Sequence, residues 1–302
     1  MKAVVIHAYG GPEQLKFEER PEPTVGPGDV LVRVAATSVN PFDLKIRSGA
    51  MKDFFPLAFP TILGVDVSGI VEAVGPGEGT FAPGDKVFAN AMQTYASLCL
   101  VKASDLAKIP DHMDTIKVAA LPTVTTTGAQ LAELATRGKR GGTVFVTGAA
   151  GNVGRSAVFT AKGNGWTVIA GVRKEQMEEA KATGADRVVA LDDGTSLDSV
   201  EQLDAVADTV SGPIANKLIA KVKKGGTFAS TLASPSNAAA HPDVRIETMV
   251  VKPAPATLVH MAEAVKAGKL VIPLGQRFAL ADANKAHLAA EKGAPGKLLL
   301  LA

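Results

Sequence analysis

Thr143-Val144-Phe145-Val146-Thr147-Gly148-Ala149-Ala150-Gly151-Asn152-Val153-Gly154 decides the fold of this chain. The apolar run that ends at Thr147 has the composition of a fully buried strand, and a helical pattern runs from Val153 to Gly163. Between them glycine recurs at every third position: Gly148, Gly151 and Gly154. Glycine at such a corner permits a tight turn and lets backbone approach a pyrophosphate with no Cβ in the way. The last glycine lets the helix pack closely on the strand. The helix N-terminus then offers free N–H groups and its positive dipole end to the phosphates. Gly148, Ala149, Ala150, Gly151, Asn152, Val153 and Gly154 are therefore the candidate cradle of a dinucleotide, with an ordinary tight turn as the other reading.

The pattern continues downstream. Strand Thr167–Ala170 is followed by helix Lys174–Thr183, strand Arg187–Leu191, strand Ala205–Val210, helix Ile214–Lys223 and strand Gly226–Leu232. Such alternation predicts a parallel sheet covered by helices on both faces. The end of the second strand tests the cofactor. An NAD site usually places a carboxylate there for the ribose 2′-hydroxyl, whereas a 2′-phosphate calls for cations. Here Ala170-Gly171-Val172 runs into Arg173 and Lys174, and no carboxylate appears before Glu175. Guanidinium suits phosphate in shape and charge, so NADPH is the expected cofactor. The alternative is that both cations are solvated charges opening a helix.

Upstream, the first ~115 residues alternate short Val/Ile-rich runs with Gly/Pro turns, a pattern of many short strands in a curled or barrel-like sheet. Met1–His7, Asp29–Thr37, Gly69–Val74, Asp85–Ala89 and Tyr95–Val101 are the expected strands. After them, Val118–Leu121 and Gly128–Ala135 read as helix. Short β-like runs return at Val271–Leu274 and Lys297–Leu301 around a helix near Asp282–Lys292, while Ser234–Pro255 carries no readable pattern.

Composition narrows the function classes. The 302 residues are 46% hydrophobic and 21% charged, an ordinary globular balance for a chain long enough for two domains. A net charge of +2 with no basic block argues against nucleic acid. The longest apolar runs fall far short of the ~20 residues of a membrane span. The N-terminus reads as a first strand rather than a secretory signal. A lone Cys99 excludes internal disulfides and multi-cysteine zinc sites, and a reducing cytoplasm is the expected location.

Several stretches carry a resemblance: Val39-Asn40-Pro41-x-Asp43-x-x-x-Arg47-x-Gly49, Leu63-Gly64-x-Asp66-x-x-Gly69-x-Val71-x-x-Val74-Gly75, Phe81-x-Pro83-Gly84-Asp85-x-Val87, the Gly148–Gly154 loop, Ala267-Gly268-Lys269-Leu270 and Gly296-Lys297. In this order they run through nearly the whole chain, which resembles the zinc-independent quinone-reductase and enone-reductase branch of the medium-chain dehydrogenase/reductase superfamily. The resemblance implies an α/β protein of two parts. One is a GroES-like β-rich catalytic domain from residues 1–120 and 268–302; the other is a Rossmann dinucleotide-binding domain from 121–267. Zinc-using relatives place a cysteine, a Gly-His-Glu motif and a second cysteine at the catalytic metal. The corresponding positions here look like Asn40 and Gly64-Val65-Asp66, with no later cysteine, so no metal is expected. The resemblance also allows a homodimer paired through Rossmann sheet edges.

The implied reaction is hydride transfer from NADPH to a quinone or an α,β-unsaturated carbonyl. Such an acceptor needs no Lewis acid but does need positioning and a hydrogen bond to the oxygen that gains charge. Asn40, Asp43 and Thr127 match the family's positions near the nicotinamide. Thr127 could instead cap its helix, Asn40 a turn before Pro41, and Asp43 could hold loop geometry. The loop Gly49–Pro60, with Met51, Phe54, Phe55 and Phe59, is the expected acceptor lining. Cys99 reads as a small buried residue, Tyr9 and Tyr95 as structural, and His287 as packing or capping. No general acid stands out, so the proton is expected from solvent. A catalytically idle, NADPH-binding member with a binding or structural role is the alternative.

Overall fold

In a computed structural model that describes residues 1–302, the chain divides into two compact units. Unit 1 holds Met1–Thr123, Pro253–Ala267 and Ile272–Ala302; unit 2 holds Val124–Lys252 and Gly268–Val271.

Unit 1 opens with strands β1 (Lys2–Ile6), β2 (Lys16–Glu19) and β3 (Asp29–Ser38), and then helix α1 (Pro41–Ser48). Strands β4 (Thr61–Ile62), β5 (Asp66–Val74), β6 (Lys86–Asn90), β7 (Leu98–Lys102) and β8 (Leu106–Lys108) follow, with a short helix α2 (Thr115–Val118). The early strands expected from the Val/Ile runs are all present, within a few residues of their bounds. Helix α1 was not legible as one. Pro41 at its first position costs nothing, since that N–H has no helical partner. Gly49, at φ +81°, ends it in the left-handed region.

Helix α3 (Pro122–Thr136) runs across the change from unit 1 to unit 2 in the sequence. Unit 2 then builds one parallel sheet from β9 (Thr143–Thr147), β10 (Thr167–Val172), β11 (Arg187–Ala190), β12 (Leu203–Asp208), β13 (Val222–Ser230) and β14 (Arg245–Thr248). The spatial order is β11-β10-β9-β12-β13-β14, every pair parallel. This is the doubly wound Rossmann order, whose direction of winding reverses between the first and fourth strands. Helices α4 (Asn152–Gly163), α5 (Met177–Lys181), α6 (Gly194–Asp198) and α7 (Gly212–Ile219) connect these strands. Val144 and Val146 of β9 pack with Ala157, Val158 and Ala161 of α4, while Phe145 lies in a second core cluster with Leu218 and Ile219 of α7. That both faces of β9 are covered explains its unbroken apolar run.

The chain returns to unit 1 through α8 (Pro255–Lys266), β15 (Leu274–Ala279), α9 (Ala283–Glu291) and β16 (Lys297–Leu301). The strand expected at Val271–Leu274 instead begins at Leu274, just after Pro273. Strand β15 is mostly exposed and so lacks the apolar run that marks a buried strand. Strand β16 sits inside the sheet β15-β16-β3-β5-β6-β8, and β7 also pairs with β3. Cys99 is buried beside Val32, and burial pushes its thiol up to about 12. No helix is long and apolar enough to cross a membrane.

Candidate active site

Two sets of residues carry chemistry, one in each unit. In unit 2 the loop after β9 turns back on itself. Gly148 adopts φ +61°, and the Gly151 N–H donates to the Gly148 carbonyl at 2.9 Å. A Cβ on Gly154 would lie 2.1 Å from that carbonyl oxygen, and one on Gly148 would lie 2.4 Å from Thr209 Oγ1. Both positions therefore need glycine. Gly151 stands at the N-cap of α4, so no side chain caps the first-turn N–H groups. The loop's shape and its open helix end fit a dinucleotide phosphate.

Sequence reading missed the second wall of this loop, at the end of β12. The Thr147 hydroxyl donates to Asp208 Oδ1 at 2.7 Å and accepts from the Thr209 N–H at 2.8 Å. Asp208 also accepts from the Ser211 N–H at 3.1 Å and the Ser230 hydroxyl at 3.1 Å. Asp208 thus ties together the ends of β9, β12 and β13, where the winding reverses. The Asp208-x-x-Ser211-Gly212 pattern after a strand, an Asx-type turn, was the available signal.

Arg173 and Lys174 follow β10 directly, at the place anticipated for a 2′-phosphate. Arg173 is exposed and pairs with Glu175 at 3.2 Å, an arrangement that water screens strongly. The Lys174 N–H donates to Asp192 at 2.9 Å, which leaves its ammonium unengaged by that contact.

In unit 1, Asn40 and Asp43 come together at the start of α1. Asp43 Oδ2 accepts the Asn40 N–H at 2.8 Å. Asn40 occupies the N-cap position, but its side chain is engaged elsewhere. Nδ2 donates to Asp66 at 2.8 Å, and Oδ1 accepts from the Lys297 ammonium. Asp66 also accepts from Ser38 and, at 2.7 Å, from the Thr123 N–H, and Lys297 stands 3.6 Å from it. All of these side chains but Thr123 are buried. Burial lowers the Lys297 pKa against the pull of Asp66 and Asp43, which raises it. Burial is also the largest influence on Asp43 and pushes its carboxyl up to about 7.

Asp43 lines a cavity of ≈ 250 Å³ with Phe42, Ile46, Leu57, Leu63 and Met92. From the loop Gly49–Pro60 this cavity takes Leu57, and not the aromatic residues singled out in the sequence. Phe54 is 81% exposed, Phe55 packs edge-on against Phe42 at 5.5 Å, and Phe59 against Tyr9 at 4.9 Å. Thr127 belongs to unit 2 and is buried well inside α3, which opens at Pro122, so it is not a helix cap. Tyr9 accepts the Leu57 N–H at 3.0 Å and holds the loop. His287 is buried between Arg47 at 3.3 Å and Tyr95 at 3.0 Å, a polar role that packing or capping does not describe.

Family models match over both units: the alcohol dehydrogenase GroES-like domain over residues 26–144 and the zinc-binding dehydrogenase domain over 183–300. A chloroplast envelope quinone oxidoreductase homolog of Arabidopsis thaliana is 33% identical over 226 residues, 70% of this chain and 69% of that protein. The solved quinone oxidoreductase of Coxiella burnetii superposes with a TM-score of 0.88 at 28% identity, covering 100% of this chain and 99% of that one. A mycobacterial protein solved in complex with NADPH gives a TM-score of 0.85 at 28% identity, with 100% of both chains covered. The fold, the glycine loop and these relatives agree: the chain belongs to the quinone- and enone-reductase branch of the medium-chain dehydrogenase/reductase superfamily.

Proposed function

We propose that the protein is an NADPH-dependent reductase of quinones or α,β-unsaturated carbonyls that works without zinc. The observation that carries this reading is the Gly148–Gly154 loop at the winding reversal of the unit 2 sheet, with Arg173 and Lys174 at the end of the next strand. When bound, NADPH supplies a hydride to an electron-poor carbon. Gly148, Ala149, Ala150, Gly151, Asn152, Val153 and Gly154 hold the pyrophosphate by backbone, and Arg173 and Lys174 take the 2′-phosphate. Asn40, Asp43 and Thr127 serve the reacting end, as their match to the family's motif implies. The largely apolar cavity beside Asp43 suits a flat, uncharged acceptor.

The zinc-free part of the reading rests on the donor set. Where zinc-using relatives carry ligands, this chain has Asn40, Val65 and Asp66. Asn40 and Asp66 are both engaged with the Lys297 ammonium. A second cation there would face an uncompensated buried charge. No group of three His, Cys, Asp or Glu side chains converges anywhere in the structure.

Fluorescence titration of NADPH and NADH against wild type and Arg173→Ala tests the cofactor. We expect wild type to prefer NADPH, and the variant to lose ~10-fold or more in NADPH affinity with NADH unchanged, the size of a charge-assisted contact. Equal loss for both nucleotides would remove the 2′-phosphate assignment. A steady-state screen of quinones and enones with NADPH tests the reaction itself, and a protein that binds NADPH but reduces none of them is the idle member.

A further inference from the structure

Beside the cavity runs a buried line of polar side chains that hydride transfer leaves unused. Arg47, near the end of α1, donates from Nη1 to Nδ1 of His287 on α9 at 3.3 Å. A guanidinium has no acceptor and keeps its protons, so Nδ1 carries the lone pair and Nε2 carries the ring proton. Nε2 lies 3.0 Å from the Tyr95 hydroxyl. The phenol oxygen therefore accepts there, and its own proton must go elsewhere. The Asp43 carboxyl, whose hydrogen bond and charge both raise the Tyr95 pKa, takes it. One residue that cannot reverse its role thus sets the direction of the whole line, from Arg47 through His287 and Tyr95 to Asp43. Arg47 is fixed in turn, donating from Nε to the Gly10 carbonyl at 3.1 Å and from Nη2 to the Glu291 carboxylate.

We propose that Asp43 is the proton donor of the reduction, its carboxyl set at the wall of the Phe42–Leu57 cavity by the directed line Arg47–His287–Tyr95, whose members are positioning residues. This rests on the reductase reading above. Hydride addition from reduced nicotinamide leaves an electron pair on the acceptor. The Asp43 O–H bond then breaks, and its proton bonds to the acceptor's oxygen or α-carbon. The carboxylate recovers a proton from water.

The groups facing Asp43 fit the role. Burial raises its pKa most, the Asn40 N–H lowers it, the Asp66 carboxylate from β5 raises it, and the Lys297 ammonium from β16 lowers it. The outcome, about 7, keeps a proton available near neutrality, where a general acid is most useful. Burial and the Arg47 charge push His287 down to about 3, so the ring stays neutral, as the line requires. Burial and the Asp43 charge hold Tyr95 well above the usual phenol range, so it donates a hydrogen bond without giving up its proton.

The test compares wild type, Asp43→Asn and Tyr95→Phe with whichever quinone or enone the wild type reduces. It follows kcat against pH, and the protonated-carboxyl infrared band of the cofactor-free protein against pH. Asp43→Asn should lower kcat by ~100-fold, the scale of general acid catalysis, lose the infrared band that titrates near neutrality, and bind NADPH as wild type does. Tyr95→Phe removes a donor that favours the carboxylate. It should therefore move both the alkaline limb of kcat and the infrared midpoint to higher pH, a shift that a merely structural tyrosine would not produce. An Asp43→Asn enzyme that keeps its kcat and pH profile overturns the proton-donor assignment. A limb unmoved in Tyr95→Phe overturns the positioning line, and decides the matter if Asp43→Asn does not fold. A wild type that binds NADPH but reduces no acceptor fails the reductase reading, and this inference with it.

Discussion

Lys297 keeps its ammonium almost wholly buried because Asp66, also buried, stands 3.6 Å away. The two are not equivalent. Removing Asp66 takes the ion-pair partner from an ammonium that then keeps only the neutral Asn40 Oδ1 among its hydrogen-bond acceptors, and it removes the acceptor of the Ser38 hydroxyl, whereas removing Lys297 leaves Asp66 with the Ser38, Asn40 and Thr123 donors. Asp66→Ala should cost ~3–5 kcal/mol and Lys297→Met distinctly less. Urea midpoints check this, and equal losses would show that Asp66 is not the organising charge. Asp43 and His287 add a pH dependence of opposite sign. His287 has a folded pKa of about 3 against 6.5, so the unfolded chain binds the extra proton and stability falls as pH drops through that window. Asp43 has a folded pKa of about 7 against 3.8, so the folded chain binds the extra proton and stability falls as pH rises through that window. Asp43→Asn should therefore gain stability over wild type progressively between pH 3.8 and about 7. A difference in urea midpoint that does not vary over this window would mean that Asp43 titrates normally. Asn40 and Asp43 were singled out only because they match the motif of the family that the chain resembles, not by any local pattern. The Lys297 contact joins residues 257 positions apart, and no local pattern encodes such a pairing.

At the scale of elements, the legible parts were those with an unbroken period. The buried β9 and the α4 helix behind it followed from the Thr143–Gly154 stretch because a run covered on both faces leaves a purely apolar signature. Helix α8 and strand β14 fell in or beside a segment rich in Ala, Ser and Pro, where short edge strands and helix starts share one composition. The contact of α3 with α4 was invisible for another reason, since glycine inside a helical pattern reads as a cost until its neighbour is known. A Cβ on Gly128 would lie 2.4 Å from both Ser156 Cβ and the Val153 carbonyl oxygen. Gly128→Ala should thus destabilise by ~1–3 kcal/mol, the cost of overpacking. It should also weaken nucleotide binding, because α4 carries the phosphate loop at its N-terminus. Gly163, on the same α4, meets nothing within 4 Å, and Gly163→Ala should stabilise by up to ~1 kcal/mol. Thermal melts of the pair separate packing from propensity, and a destabilised Gly163→Ala alongside a neutral Gly128→Ala would reverse the assignment.

For the whole molecule the decisive feature is that unit 1 is built from both ends of the chain, while the unit 2 sheet closes at Thr248. The family resemblance led to the expectation of a part built from both chain ends, but it gave residues 253–267 to the Rossmann part, whereas Pro253–Ala267 lies in unit 1. Periodicity could give no division, because a strand's own sequence does not say which distant strand it joins. Strand β16 lies between β15 and β3, and Leu298, Leu299 and Leu300 are all buried. Burying three leucines is worth ~5–9 kcal/mol at ~1.5–3 each, comparable to the ~5–15 kcal/mol that holds a domain folded. The same strand supplies Lys297 to Asn40 and Asp66. A chain ending at Gly296 should therefore lose the cooperative unfolding of unit 1, and with it any reduction of acceptors. Within unit 2 the β9–α4 loop is held by its own residues, Gly171 and Thr209. The truncated chain should still bind NADPH within ~10-fold of the intact protein, since the stabilisation lost is local to the other unit. Two-probe urea unfolding, near-ultraviolet circular dichroism for Tyr95 and nucleotide fluorescence for the loop, reads both halves of the expectation. Loss of both signals together would mean that the two units fold as one cooperative body, and that the C-terminal strand stabilises the nucleotide site from a distance.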